Sequence, residues 1–242
     1  MFNKAVSYSL ITKVISFISG PVNAFLISSF FTEQAQGFYY TFFSLLTIQV
    51  FIELGLANVT QHFSSHEWIN LSYSNKIIVG AKDSLIRLSE IFKFSFNWFL
   101  IGSIIFTFLI ILLGFYFFSL SENSNLINWK YQWICLCIIT GFNILFAPII
   151  SVLEGCNRIN DVYLYRLLTA IVVFSVTVIS ILSDFELWTA VMIVLSNFLC
   201  SFFFIVLFYR NFFKQLLKTK SKKKFNWKKE MLPMQYKIAL SW

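Results

Sequence analysis

Lys13, Asn23, Gln49, Glu53, Asn143 and Arg166 stand inside, or at the ends of, stretches that are otherwise apolar. A charge at the centre of a lone membrane helix costs about 2.5–3.5 kcal/mol on insertion scales, so intramembrane charges are either paired or used on substrates, ions and protons. Lys13 lies about two and a half helical turns beyond Lys4, roughly 13 Å at 1.5 Å per residue, which is deep for a side chain that must snorkel. Glu53 lies about one and a half turns from the cytoplasmic end of the next helix, which runs antiparallel to the first. A Lys13–Glu53 ion pair at similar depth is therefore expected. Arg166 faces the same leaflet from the start of a later span, and Asn23, Gln49 and Asn143 are neutral hydrogen-bonding groups deeper in. A second reading stays open: Lys13 and Arg166 mark interfacial helix ends, and the amides tie helices together.

Other chemistry-bearing residues offer less. His62 and His66, spaced i and i+4 beside Glu67, could clamp a metal on a helix, but no further Cys or His joins them, and no metal or cofactor is assigned. Cys135, Cys137 and Cys200 fall inside apolar stretches and Cys156 in a short turn, where they read as small apolar residues. No P-loop, paired acidic metal motif, Ser/His/Asp set or glycine-rich phosphate loop is present. Weight therefore moves from catalysis toward transport, and the chain is read as a non-enzyme.

The elements that position these residues are six apolar stretches, Val14–Thr32, Gln34–Ile52, Phe94–Ser121, Tyr131–Leu153, Leu167–Ser183 and Leu187–Tyr209, each about long enough to cross roughly 30 Å of hydrocarbon. With their flanks they predict helices over about residues 8–32, 37–58, 95–121, 131–153, 162–183 and 187–209. Starting the first from the inside places Glu33, Glu122 and Asp184–Glu186 outside, and all but Lys130 of the 19 Lys and Arg then belong to the cytoplasmic side. The expected fold is an all-α integral membrane bundle of six transmembrane helices with both termini cytoplasmic. A mean hydropathy of +0.74 and 31 Phe, 10 Tyr and 7 Trp agree with a lipid-facing surface. Val59–Lys93 is too short and polar to bury a core of its own, and no soluble domain is left over. The first apolar run has no small-residue cleavage site and reads as a retained helix.

Two cytoplasmic segments are distinguished. Ile77, Ala81, Leu85, Leu88 and Phe92 recur at three- and four-residue steps, which predicts an amphipathic helix over about 73–93 lying along the inner leaflet. Residues 210–233 form a basic linker in which Lys214–Lys229 carries eight lysines with Phe225 and Trp227 among them. Following a membrane helix directly, this run points to anionic lipid, at about 1 kcal/mol per basic residue, rather than to nucleic acid. Gly20–Pro21 and Pro148 each remove a backbone hydrogen bond and predict kinks in the first and fourth spans.

The stretch Gly37–Trp68, GFYYTFFSLLTIQVFIELGLANVTQHFSSHEW, resembles the second helix and following loop of bacterial polysaccharide flippases of the multidrug/oligosaccharidyl-lipid/polysaccharide (MOP) exporter superfamily. Glu154–Leu168, EGCNRINDVYLYRLL, is similar to the turn leading into that family's fifth helix. The resemblance implies a flippase for O-antigen, capsule or exopolysaccharide assembly in the bacterial inner membrane, moving an oligosaccharide linked to a polyisoprenyl (undecaprenyl) diphosphate. It implies two six-helix lobes with the substrate site between them, of which this chain would supply the N-terminal one. Lys13 and Arg166 match by type the cations that suit a diphosphate, with Asn23, Gln49 and Asn143 beside them, and Glu53 falls in the family's motif as a structural or coupling charge. Residues 234–242 resemble the opening of a seventh helix, so a truncated flippase is expected, with a second lobe or a second copy as partner. A multidrug or ion transporter of the same superfamily, and a non-transporting scaffold for a glycan-assembly complex, are the alternatives.

Overall fold

The computed structural model describes residues 4–53, 55–74, 76–120, 127–220 and 227–240. Among them, six helical stretches are long and apolar enough to cross a membrane, as an all-α, multi-pass membrane protein requires. The first is α1 (Lys4–Phe30). It begins ahead of the expected start because Lys13 interrupts the hydropathy but not the helix, and it continues through Pro21 without a break.

The second crossing is compound. α2 (Glu33–Leu46) is capped by the Thr32 hydroxyl, which accepts from Ala35 N, and passes into a 3₁₀ turn (Thr47–Gln49) and then α3 (Val50–Glu53). Ser44 and Thr47 hydroxyls bond back to carbonyls four and three residues earlier, a pattern that bends helices at such a point. Gly55, at φ 73°, then redirects the chain into α4 (Leu56–Trp68). A side chain at that dihedral would be strained.

Residues 71–80 depart from expectation. In place of an amphipathic helix from residue 73, the chain forms an antiparallel hairpin, β1 (Leu71–Ser74) with β2 (Ile77–Gly80), paired from Leu71↔Gly80 to Ser74↔Ile77. Ile77, Ile78 and Val79 are β-branched and favour a strand locally, and Lys76 at φ 62° and Gly80 at φ 140° are incompatible with a continuing helix. Only from Lys82 does the helical spacing hold, with Leu88 and Phe92 buried on α5 (Lys82–Ser119). This single helix includes the third span and, at 1.5 Å per residue, is about 57 Å long.

The fourth span divides into α6 (Lys130–Ile144) and α7 (Phe146–Gly155). The break at Leu145 precedes Pro148 by three residues, where proline's missing N–H and its ring disturb the carbonyl of Ile144. α8 (Ile159–Leu182) is the fifth span. The sixth comprises α9 (Trp188–Phe204), a π-helical turn (Ile205–Tyr209) and α10 (Arg210–Lys218). The first part of the expected basic linker is thus a helical continuation of span six. Lys222–Lys224 lie outside the described residues. The chain resumes in α11 (Trp227–Glu230) and α12 (Leu232–Leu240).

Two cores result. The larger joins the spans and includes an aromatic knot of Phe38, Phe42, Phe118, Trp129 and Trp133, with ring centroids 5.0–6.4 Å apart. The smaller forms a cap at one end of the bundle, where Leu71 and Ile78 of the hairpin meet Leu88, Phe92, Val152, Val162, Tyr209, Phe212 and Leu216. No single segment could bury this core, but the protruding ends of four spans can. Gln215 acts as a third strand: Ile78 N donates to its Oε1 and its Nε2 donates to Ile78 O, both at 2.8 Å. Ser89 and Lys93 donate to carbonyls at the end of α10. Burial raises the Tyr73 phenol, and the Arg158 guanidinium 4.9 Å from its ring partly offsets the shift. Gln215→Leu should strand both polar groups of Ile78, at about 1–3 kcal/mol for each buried group left unpaired. Amide exchange across residues 71–80 should then quicken by about tenfold or more. Unchanged exchange would show that the hairpin holds without its side-chain strand.

Candidate functional site

A cleft of about 530 Å³ opens between spans two, four, five and six. Each wall follows from the helix geometry above. The bend and Gly55 bring Glu53 and Ala57 to one side; the α6–α7 break brings Asn143, Ala147 and Ser151; α8 presents Tyr165, Arg166 and Thr169 at helical spacing; and α9 presents Asn197 and Ser201 one turn apart. Tyr165 is fixed by a 2.6 Å hydrogen bond to Ser201 and by stacking on Phe204 at 4.6 Å. Asn143 donates through Nδ2 to the carbonyl of Val194 at 3.1 Å, joining spans four and six while its side chain lines the cleft.

Arg166 Nη2 lies 2.7 Å from Glu154 Oε1. Glu154 is nearly enclosed, with 12% of its side chain exposed, against 45% for Arg166. Glu53 is half-buried and has no ion pair among the described residues. The local charge is therefore two carboxylates against one guanidinium. The cleft presents hydroxyl, amide and carboxylate groups suited to a hydroxyl-rich ligand, and one guanidinium able to fork onto a phosphate or carboxylate.

Of the residues singled out from sequence, Glu53, Asn143 and Arg166 share this cleft, while Lys13, Asn23 and Gln49 do not line it. The expected Lys13–Glu53 pair does not form. α1 packs along α8 and touches α2 little, so succession in sequence did not make the first two spans close neighbours at this depth. Lys13 is exposed on α1 and has no ion pair among the described residues. Asn23 Oδ1 is buried with no hydrogen-bond partner among them, and Gln49 is half-buried on the 3₁₀ turn. Sequence reasoning missed Glu154, Tyr165, Asn197 and Ser201. Asn197 was visible by the same signal as Asn143, an isolated amide in an apolar span.

A second cleft, of about 620 Å³, lies toward the cap and is lined by Asn58, Gln61, His62, Ser65, Trp68, Glu154 and Asn157. His62 therefore faces an open cleft, and no group of three or more metal-ligating side chains occurs among the described residues. Gly155 lets α7 approach α4 here, since a Cβ at that position would lie 2.4 Å from the Gln61 carbonyl oxygen. No protein-family profile, curated protein or solved structure matches the chain.

Proposed function

We propose that this chain is a transport lobe that moves a lipid-linked oligosaccharide from the cytoplasmic to the outer leaflet of the bacterial inner membrane, with both termini in the cytoplasm. The observation that carries the proposal is the cleft of Glu53, Asn143, Tyr165, Arg166 and Asn197. It assembles polar groups from four otherwise apolar spans, where each would be costly if left against lipid. The flippase-like stretches Gly37–Trp68 and Glu154–Leu168 support it, because they supply Glu53, Glu154, Tyr165 and Arg166 to one place. Arg166 would take the diphosphate and the amides and hydroxyls the sugar. α1, with Lys13 and most of its surface exposed, would meet a second lobe or a second copy of this chain. The lysines of α10 and beyond would lie against anionic lipid of the inner leaflet.

Cysteine labelling tests this reading. In a chain with its native cysteines replaced, Asn143→Cys and Asn197→Cys should react with a water-soluble maleimide in membrane vesicles. They should do so from the same side as Lys220→Cys, which marks the cytoplasm. Added polyprenyl-diphosphate oligosaccharide should slow the reaction several-fold at both cleft positions. If neither position reacts, the cleft is dry and transport through it is excluded. Glu53, with no ion pair among the described residues, favours a second reading, a cation transporter of the same architecture, and protection by a small cation but not by the glycolipid would select it.

A further inference from the structure

We infer that Glu154 is a resident stand-in for the anionic group of the transported molecule, holding Arg166 when the site is empty and releasing it when a phosphate arrives. The inference rests on the transport reading and gives Glu154 a role that reading leaves unassigned. Three observations carry it. First, the contact is between Arg166 Nη2 and a single carboxylate oxygen, Glu154 Oε1, and the guanidinium has no second ion-pair partner among the described residues. A phosphate with several acceptor oxygens can satisfy more of that fork than one carboxylate oxygen does.

Second, the pair stands where the two clefts meet. Arg166 lines the cleft of Glu53 and Asn143, whereas Glu154 lines the cleft of Asn58, Gln61 and His62. Separating them would join the two spaces, so ligand exchange at Arg166 and opening of the path toward the cap become one event. Third, the released carboxylate has somewhere to go. Asn58, Gln61 and Asn157 line the second cleft and carry amide donors that could take Glu154, which avoids the cost of leaving a buried carboxylate bare. Tyr163 helps hold the other partner, its ring centroid lying 5.4 Å from the Arg166 guanidinium carbon.

The exchange predicts an unusual sign: removing the carboxylate should improve binding. With the protein in nanodiscs, farnesyl diphosphate should bind Glu154→Gln about tenfold more tightly than the wild type, since the ligand no longer competes with a charged acceptor. Glu154→Asp, which keeps the charge but shortens the reach, should show a smaller gain and guards against a folding defect in the first variant. Arg166→Gln should lose binding, and adding Glu154→Gln to it should restore nothing. Farnesol, with no phosphate, should not distinguish any of the four. If Arg166→Gln loses binding but both Glu154 variants bind no better than the wild type, the exchange is refuted while Arg166 remains the anion site. Equal binding by Arg166→Gln and the wild type would remove the anion site itself, and the exchange with it.

Discussion

Gly114→Ala is expected to lower the stability of the membrane bundle by about 2 kcal/mol, although alanine is the better helix former. A Cβ at Gly114 would stand 2.1 Å from Trp133 Nε1 and 2.2 Å from its Cε2. Trp133 cannot simply yield. It is fully buried, lies 5.0 Å from Phe42 and 5.4 Å from Phe118 by ring centroid, and donates to the carbonyl of Ile111. Either α5 and α6 must separate or the aromatic knot must repack, and overpacking of this kind costs about 1–3 kcal/mol in a well-filled core. The control is Gly37→Ala on α2, where a new Cβ meets nothing within 4 Å. There the helix-propensity gain of about 1 kcal/mol stands unopposed. The two substitutions should therefore shift the unfolding midpoint in detergent in opposite directions. A shift of the same sign for both would mean that the close approach at Trp133 is not maintained in the membrane.

The spans were legible because about twenty apolar residues in a row need no tertiary information to form a membrane helix. The hairpin was not, because Ile77, Leu85, Leu88 and Phe92 fit a helical template that Lys76 and Gly80, through their positive φ, interrupt. Arg166 was legible as a cation at a span end. Its partner Glu154 lies twelve residues earlier across a tight turn and read as part of that turn, so the pair had to be seen in space. The Lys13–Glu53 expectation failed for a related reason. Charge type and depth can be estimated along one helix, but which helices are neighbours is set by how all six pack, and α1 chose α8. The tetrad of Glu53, Asn143, Arg166 and Asn197 draws on four spans, a combination no local pattern encodes.

The cap contains a second carboxylate whose enclosure makes its partner matter. Glu67 has only 6% of its side chain exposed, and Arg87 Nε lies 3.3 Å from its Oε1. The same guanidinium reaches Glu230 of α11 at 2.6 Å, so one arginine ties α4 to α5 and both to the segment that precedes α12. His66, 3.6 Å from Glu67 but 73% exposed, is a poor substitute because water screens it. Arg87→Leu should therefore strand a buried carboxylate. Breaking a fully buried pair costs about 3–5 kcal/mol, and because Arg87 is itself half-exposed about 2–3 kcal/mol is expected here. Glu230→Gln removes only an outer, half-exposed partner and should cost less than about 1 kcal/mol. The decisive measurement is the double variant. Glu67→Leu with Arg87→Leu leaves no stranded charge and should recover most of the lost stability, giving a coupling energy of about 1–3 kcal/mol in a double-mutant cycle. Simple additivity would mean that Glu67 is solvated in the membrane-bound protein, and the cap must then be looser around α4 than its packing against Gly155 and α5 requires.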